Sequence, residues 1–173
     1  MLHDQVPQAG LIAVLLNPDF PDVQGKFRQT QDAARRVGLE LQLVAGGTDR
    51  DIDAAFSRMS ELRVHALIVL SDLFLFSRRE KIVALAATHA LPAIYDLREF
   101  ATAGGLMSYG PRITDSYRQA GIYVGRVLKG TKPSDLPVVQ PTEFEFVVNL
   151  RTAKSLNLAI HPGLLAIANE VIE

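Results

Sequence analysis

Two apolar runs, LIAVLL at 11–16 and HALIVL at 65–70, constrain the fold of this chain more than any other feature. A strand with one wet face alternates apolar and polar side chains. A run that stays apolar is covered on both faces, which is the condition of a strand inside a parallel sheet with helices above and below. The segment LELQLV at 39–44 does alternate and reads as an edge strand of the same sheet.

Helical stripes separate the runs. Val23, Phe27, Ala34 and Val37 recur on one face, with Asp19 and Pro21 as N-terminal signals and Gly38 as a stop. Ile52, Ala55, Phe56, Met59 and Leu62 form a second stripe. Ile82, Leu85, Ala86 and His89 form a third, entered through SDLFLFS and ended before Pro92. PAIY is a short fourth strand, LREFATAGG a helical turn or two closed by glycine, and LMSY a fifth strand. Five strands thus alternate with four helices, which predicts an α/β fold: a Rossmann-like open parallel sheet of order 2-1-3-4-5 with helices on both faces.

The last third changes character. Tyr117, Ala120, Gly121, Val124 and Leu128 make a helical stripe over 113–129. TKPSDLPVVQP is a proline-punctuated connection, EFEFVVNL at 143–150 a strand, and RTAKSLNL and PGLLAIANEVIE two short helices. The organisation reads as 1–109, an α/β unit, followed by 110–173, a crossover, amphipathic helix, return strand and C-terminal helices.

Composition excludes several classes of function. The formal net charge is −1, so no broad basic field offers itself to nucleic acid. Cysteine is absent, which removes thiol chemistry, disulfides and cysteine metal sites. The four histidines, His3, His65, His89 and His161, have no ligand spacing, so neither a metal nor an organic cofactor is expected. Gly46-Gly47-Thr48 reads as a turn, and Ser108 lacks the G-x-S-x-G elbow of a hydrolase. The beginning MLHDQVPQAG shows no basic region or cleavage pattern of an export signal, so the chain as written would stay cytoplasmic.

Ligands of open parallel sheets bind outside the carboxyl ends of the strands. Those ends carry Asn17-Pro18, Ser71-Asp72, Tyr95-Asp96 and Ser108-Tyr109, short polar groups beside aromatics that suit a small polar or zwitterionic molecule. They are expected to line one edge, partly exposed, around a shallow concavity. Three readings fit this pattern: a binding lobe, a small flavodoxin-like enzyme or regulator, and an oligomerisation module.

VLLNPD, DIDAAFSRM, the stretch from HALIVLSDLF to AIYDLREF, AGGLMSYGP and the ending FEFVVNLRTAKSLNLAIHPGLLAIANEVIE resemble the substrate-binding proteins of a bacterial ABC-transporter family, the tryptophan-transporter type. The resemblance implies one lobe of a type 1 periplasmic binding protein plus a crossover extension, the chain beginning just before the first strand of the second lobe. It implies a non-enzymatic, periplasmic or extracytoplasmic receptor that delivers a small molecule such as an amino acid to a membrane permease. On this resemblance the ligand-facing residues are Asn17, Asp72, Tyr95, Ser108 and Tyr109. Glu99 is a weaker candidate, expected to cap a helix or pair with Arg98 or Arg112. LMSYGP becomes the point where the chain leaves for the other lobe, its glycines serving close packing. With that lobe absent, the stripe of helix 113–129 is expected to be covered by a second copy in a homodimer, with residues 110–150 reaching across and EFEFVVNL a candidate for exchange.

Overall fold

The computed structural model describes residues 1–70 and 72–173. Among them, seven strands form one sheet in the order β2-β1-β3-β4-β5-β6-β7. The strands are β1 (Leu11–Leu16), β2 (Glu40–Ala45), β3 (Ala66–Leu70), β4 (Ala93–Tyr95), β5 (Met107–Pro111), β6 (Phe144–Asn149) and β7 (Glu170–Ile172). The first five are parallel in the expected order, with the alternating strand β2 at the edge. β6 then runs antiparallel to β5, and β7 parallel to β6.

Helices α1 (Leu2–Gln5), α2 (Val23–Arg36), α3 (Asp49–Glu61), α4 (Leu73–Ser77), α5 (Arg79–Thr88), α6 (Arg98–Thr102), α7 (Ile113–Leu128), α8 (Leu150–Ser155) and α9 (Pro162–Ile167) fill the connections. The alternation along each strand sorts the core into two layers. On one face Ala13, Leu15, Leu67, Val69 and Tyr95 pack with Ile52 and Phe56 of α3, Ile82 of α5 and Phe100 of α6. On the other, Met107, Phe146 and Val148 pack with Ala153 of α8 and Leu164 of α9, while Leu2 and Ala9 cover Ile12 and Ala66. This is why β1 and β3 read as unbroken apolar runs.

Several expectations need correction. The ending PGLLAIANEVIE is a helix only to Ile167 and then becomes β7. Asn169 decides the change: its backbone N–H donates to the Phe146 carbonyl at 2.8 Å, and its side-chain Oδ1 accepts from the Phe146 N–H at 2.7 Å. The open edge of β6 captures the segment, because unpaired strand groups outbid a short helix. The stretch LFLFS, expected only as a lead-in, is itself helical as α4, capped by Asp72 and separated from α5 at Arg78. Helix α2 begins at Val23 rather than after Asp19, and of its expected stripe only Ala34 is buried; Val37, just beyond it, is half exposed. The N-terminal α1 carried no sequence signal. It is held from a distance, with Gln5 Nε2 donating to the Ala159 carbonyl at 2.9 Å and Gln5 Oε1 accepting from the His161 N–H at 3.1 Å.

The chain leaves the sheet after Pro111 and returns at Phe144. In between, α7 buries none of its residues. Tyr123 Oη donates to the Pro137 carbonyl at 2.6 Å and ties the helix to its own connection. At the exit, a side chain on Gly110 would overlap the Asp96 carbonyl oxygen, so glycine serves close approach there, as expected. Within this single chain β6 pairs with β5 over Met107–Pro111.

Candidate functional site

The alignment of Leu16 with Leu70 brings the residues after β1 and β3 side by side. Asn17 Nδ2 donates to Asp72 Oδ2 at 2.5 Å, and Asn17 Oδ1 accepts from the Asp19 N–H at 3.0 Å. Asp72 Oδ1 accepts from the Leu75 N–H at 2.8 Å and so caps α4. Asn17 is buried. Both residues are thus engaged in organising the loops at the strand ends, and Asn17 lines a small dent with Phe20 and Lys26. Ser71, expected beside them, lies outside the described residues.

Tyr95 and Ser108 are register partners on β4 and β5. They were expected to be partly exposed, but they are 2% and 1% exposed. The cause is pleat: both fall on the face that α6 covers. The Tyr95 ring stacks on Phe100 with centroids 4.6 Å apart and planes 12° from parallel. Its hydroxyl and the Ser108 hydroxyl have no hydrogen-bond partner among the described residues. Burial pushes the Tyr95 phenol up, because the phenolate would lose its hydration. Tyr109, one residue on, faces the opposite side and is half exposed, against Phe144 and Phe146 at 5.7 and 6.5 Å. The five residues therefore occupy the same end of the sheet. Asn17 and Asp72 touch, Tyr95 and Ser108 adjoin beneath α6, and Tyr109 stands on the other face.

A groove that the sequence did not reveal lies farther along this edge. It encloses about 440 Å³ between α6, the first turn of α7 and the start of β6 and β7. Arg98 and Glu99 from α6, Arg112 before α7, Glu145 from β6, Asn169 just before β7 and Glu170 at its start line it. Arg98 Nη2 donates to both Glu170 oxygens, at 3.0 and 2.7 Å. Arg98 is therefore not the partner of Glu99, and Glu99 Oε2 is buried with no partner among the described residues. The residues of this groove come from four separate segments. The one available signal, the cluster of Arg98 and Glu99, lacked meaning without β7 in place. Among the described residues no group of three or more histidines, cysteines or carboxylates converges as metal ligands would. Among them also, no helix is long and apolar enough to cross a membrane.

Solved structures with the same fold were found by comparison. A conserved domain protein from Vibrio cholerae O1 superposes with a TM-score of 0.91 at 21% identity, over 98% of this chain and 57% of that one. An ABC domain from Streptococcus pneumoniae, in complex with L-Trp, gives 0.90 at 23%, over 99% and 59%. A ligand-free, open substrate-binding protein with adhesive properties from Clostridium difficile gives 0.71 at 19%, over 99% and 57%. The chain thus spans a little under three-fifths of the length of these structures, and at such identities the likeness establishes the fold. No curated protein matches the chain. A family model described as ABC transporter substrate binding protein matches residues 1–172, and with nearly every residue inside that match, this chain belongs to the family of ABC transporter substrate-binding proteins.

Proposed function

We propose that this chain serves as the solute-binding component of an ABC transporter, holding a small polar or zwitterionic molecule such as an amino acid for a membrane permease. The observation that carries the reading is the excursion from the sheet: the chain leaves after Pro111, forms a long amphipathic helix that buries nothing, and returns antiparallel at Phe144. A free-standing domain has no use for such a helix. A lobe that exchanges crossovers with another lobe does. In this reading residues 1–109 form the α/β lobe, and 110–173 form the crossover and its return.

The ligand would lie along the carboxyl ends of the strands, as open parallel sheets require. Tyr109, half exposed, would meet it directly. Asn17 and Asp72 would shape the loops at the strand ends, and Tyr95 with Ser108 would support that end of the sheet from beneath α6. The work is binding rather than catalysis, without metal or organic cofactor, and it belongs outside the cytoplasm. The L-Trp held by the streptococcal structure makes amino acids the first ligands to try. A thermal-shift and calorimetric screen of amino acids tests the reading. A ligand at about a hundredfold excess over its dissociation constant adds about 2.7 kcal/mol of stability. Affinity should fall in Tyr109→Ala. A screen in which no amino acid or related metabolite raises the melting temperature overturns the proposal for this chain.

The exposed stripe on α7 supports a second element of the reading, a homodimer. Tyr117, Val124 and Leu128 are 74%, 57% and 82% exposed. Such a stripe gains about 25 cal/mol for each Å² covered. A second copy offers an equivalent stripe, and a two-fold axis lets each cover the other. The contact would be helix to helix, with exchange of β6 between copies a further form of the same dimer. Sedimentation at micromolar concentration should give twice the chain mass, and a monomer mass refutes this element alone.

A further inference from the structure

Glu145 is the most unusual charged residue of the described chain. It is 8% exposed, yet no hydrogen bond or ion pair is made by its side chain among the described residues. Burial of a carboxylate is costly unless a cation or hydrogen-bond donors replace the lost water. Glu145 sits on β6 opposite Gly110, on the face toward α6, and lines the groove that Glu99 also lines. The buried Glu99 Oε2 lacks a partner as well. The neighbouring guanidinium groups make their direct ion pairs elsewhere. Arg98 is committed to Glu170 at 2.7 Å, and Arg112 leans toward Asp115 at 3.9 Å. Two carboxylates in one groove thus make no direct ion pair among the described residues.

We infer that this groove is a binding site for a small organic cation, whose primary ammonium is held between Glu99 and Glu145. A primary ammonium has three donors and a compact charge, which suits two carboxylate acceptors approaching from different elements. A metal ion fits poorly, because no third protein ligand converges among the described residues. The groove, at about 440 Å³, is roomy enough for a molecule of amino-acid or diamine size. Ile113 and Tyr117 supply an apolar wall for its alkyl part, and Asn169 a further polar group. Asn169 Oδ1 is occupied by the Phe146 N–H, so its amide nitrogen remains to donate and would meet a hydroxyl or carbonyl on the ligand rather than the ammonium. The site is distinct from the strand-end residues Asn17 and Asp72, and it goes beyond the transport reading without depending on it.

The test is a titration of the full chain with 1,5-diaminopentane, followed by the backbone amide signals of Thr114 and Glu145 and the side-chain amide of Asn169 in nitrogen-edited NMR spectra. Saturable shifts confined to these signals are expected, and 1,5-pentanediol, equal in length but uncharged, should produce none. Glu145→Gln and Glu99→Gln should each weaken binding about tenfold, the effect of losing about 1.4 kcal/mol, and the double variant should abolish it. The signal dispersion of each variant reports its folding. Should Glu145→Gln not fold, Glu99→Gln decides alone, because Glu99 makes no side-chain hydrogen bond that the amide would break at its buried oxygen. Glu61→Gln on α3 serves as the remote control and should leave the affinity unchanged. Shifts that never saturate, a diol that binds as well as the diamine, or an affinity unchanged in both groove variants overturns the inference. None of these outcomes bears on whether amino acids bind at the strand ends, and a failed amino-acid screen leaves the groove untouched.

Discussion

Helices α3 and α7 look alike in sequence and differ completely in fate. Both carry an apolar stripe at helical spacing. α3 buries Ile52, Ala55, Phe56 and Met59 against the sheet, whereas α7 buries none of its residues. Periodicity thus states that a face needs cover, and it is silent on whether the same chain supplies that cover. α3 is bounded by two strands that bring it back onto the sheet. α7 is launched by Gly110 and Pro111, where the close approach of Gly110 to the Asp96 carbonyl fixes the exit. The sheet body is therefore self-sufficient, and the excursion is a surface in search of another.

The largest effect that could break this contrast is truncation within each stripe. Phe56→Ala should cost about 3–5 kcal/mol in urea denaturation, because the ring is fully enclosed. Val124→Ala should stay within about 0.5 kcal/mol, provided the measurement is made on the monomer. Equal costs would mean that α7 is packed after all.

Next in size is the exit itself. Gly110→Ala places a methyl group against backbone that has nowhere to retreat, and a loss of about 1–3 kcal/mol is expected. A variant as stable as the parent would show that the crossover flexes freely. In that case the exit would no longer separate the two regions.

Tyr95 sharpens the contrast from inside the body. Its folded-state pKa lies above the ordinary 10.0, so the folded protein keeps a proton that the unfolded chain releases. Stability is therefore unaffected by this group below pH 10 and falls as pH rises beyond it, at a slope approaching about 1.4 kcal/mol per pH unit. Tyr95→Phe should remove that share of the alkaline loss. It should also leave neutral-pH stability equal or higher, since the hydroxyl it deletes has no partner among the described residues. Identical alkaline profiles for parent and variant would show that the phenol reaches water.

The smallest effect on folding belongs to charges placed on α7. Val124→Lys with Leu128→Lys should leave the unfolding free energy of the monomer within about 0.5 kcal/mol. The same pair should convert a dimer to a monomer in sedimentation. A dimer that survives places the interface elsewhere.

The sequence by itself determined the α/β class, the order of the first five strands and the edge position of β2. These follow from local pattern: a run buried on both faces stays apolar, an edge alternates, and a parallel neighbour needs a crossover of fixed hand. It also placed Asn17, Asp72, Tyr95, Ser108 and Tyr109 at one end of the sheet, because strand ends can be read along the chain. Tertiary structure alone decided which of them meet solvent. Exposure depends on what lies across the pleat, and α6 closes over Tyr95 and Ser108 while Tyr109 turns the other way. It alone made β7 out of a helical-looking tail, since the open edge of β6 is created far away in sequence. The groove of Glu99 and Glu145 was hidden for the same reason. Residues 46 positions apart become neighbours only when an antiparallel strand returns beside β5, and no local pattern records a partner that arrives from outside the window.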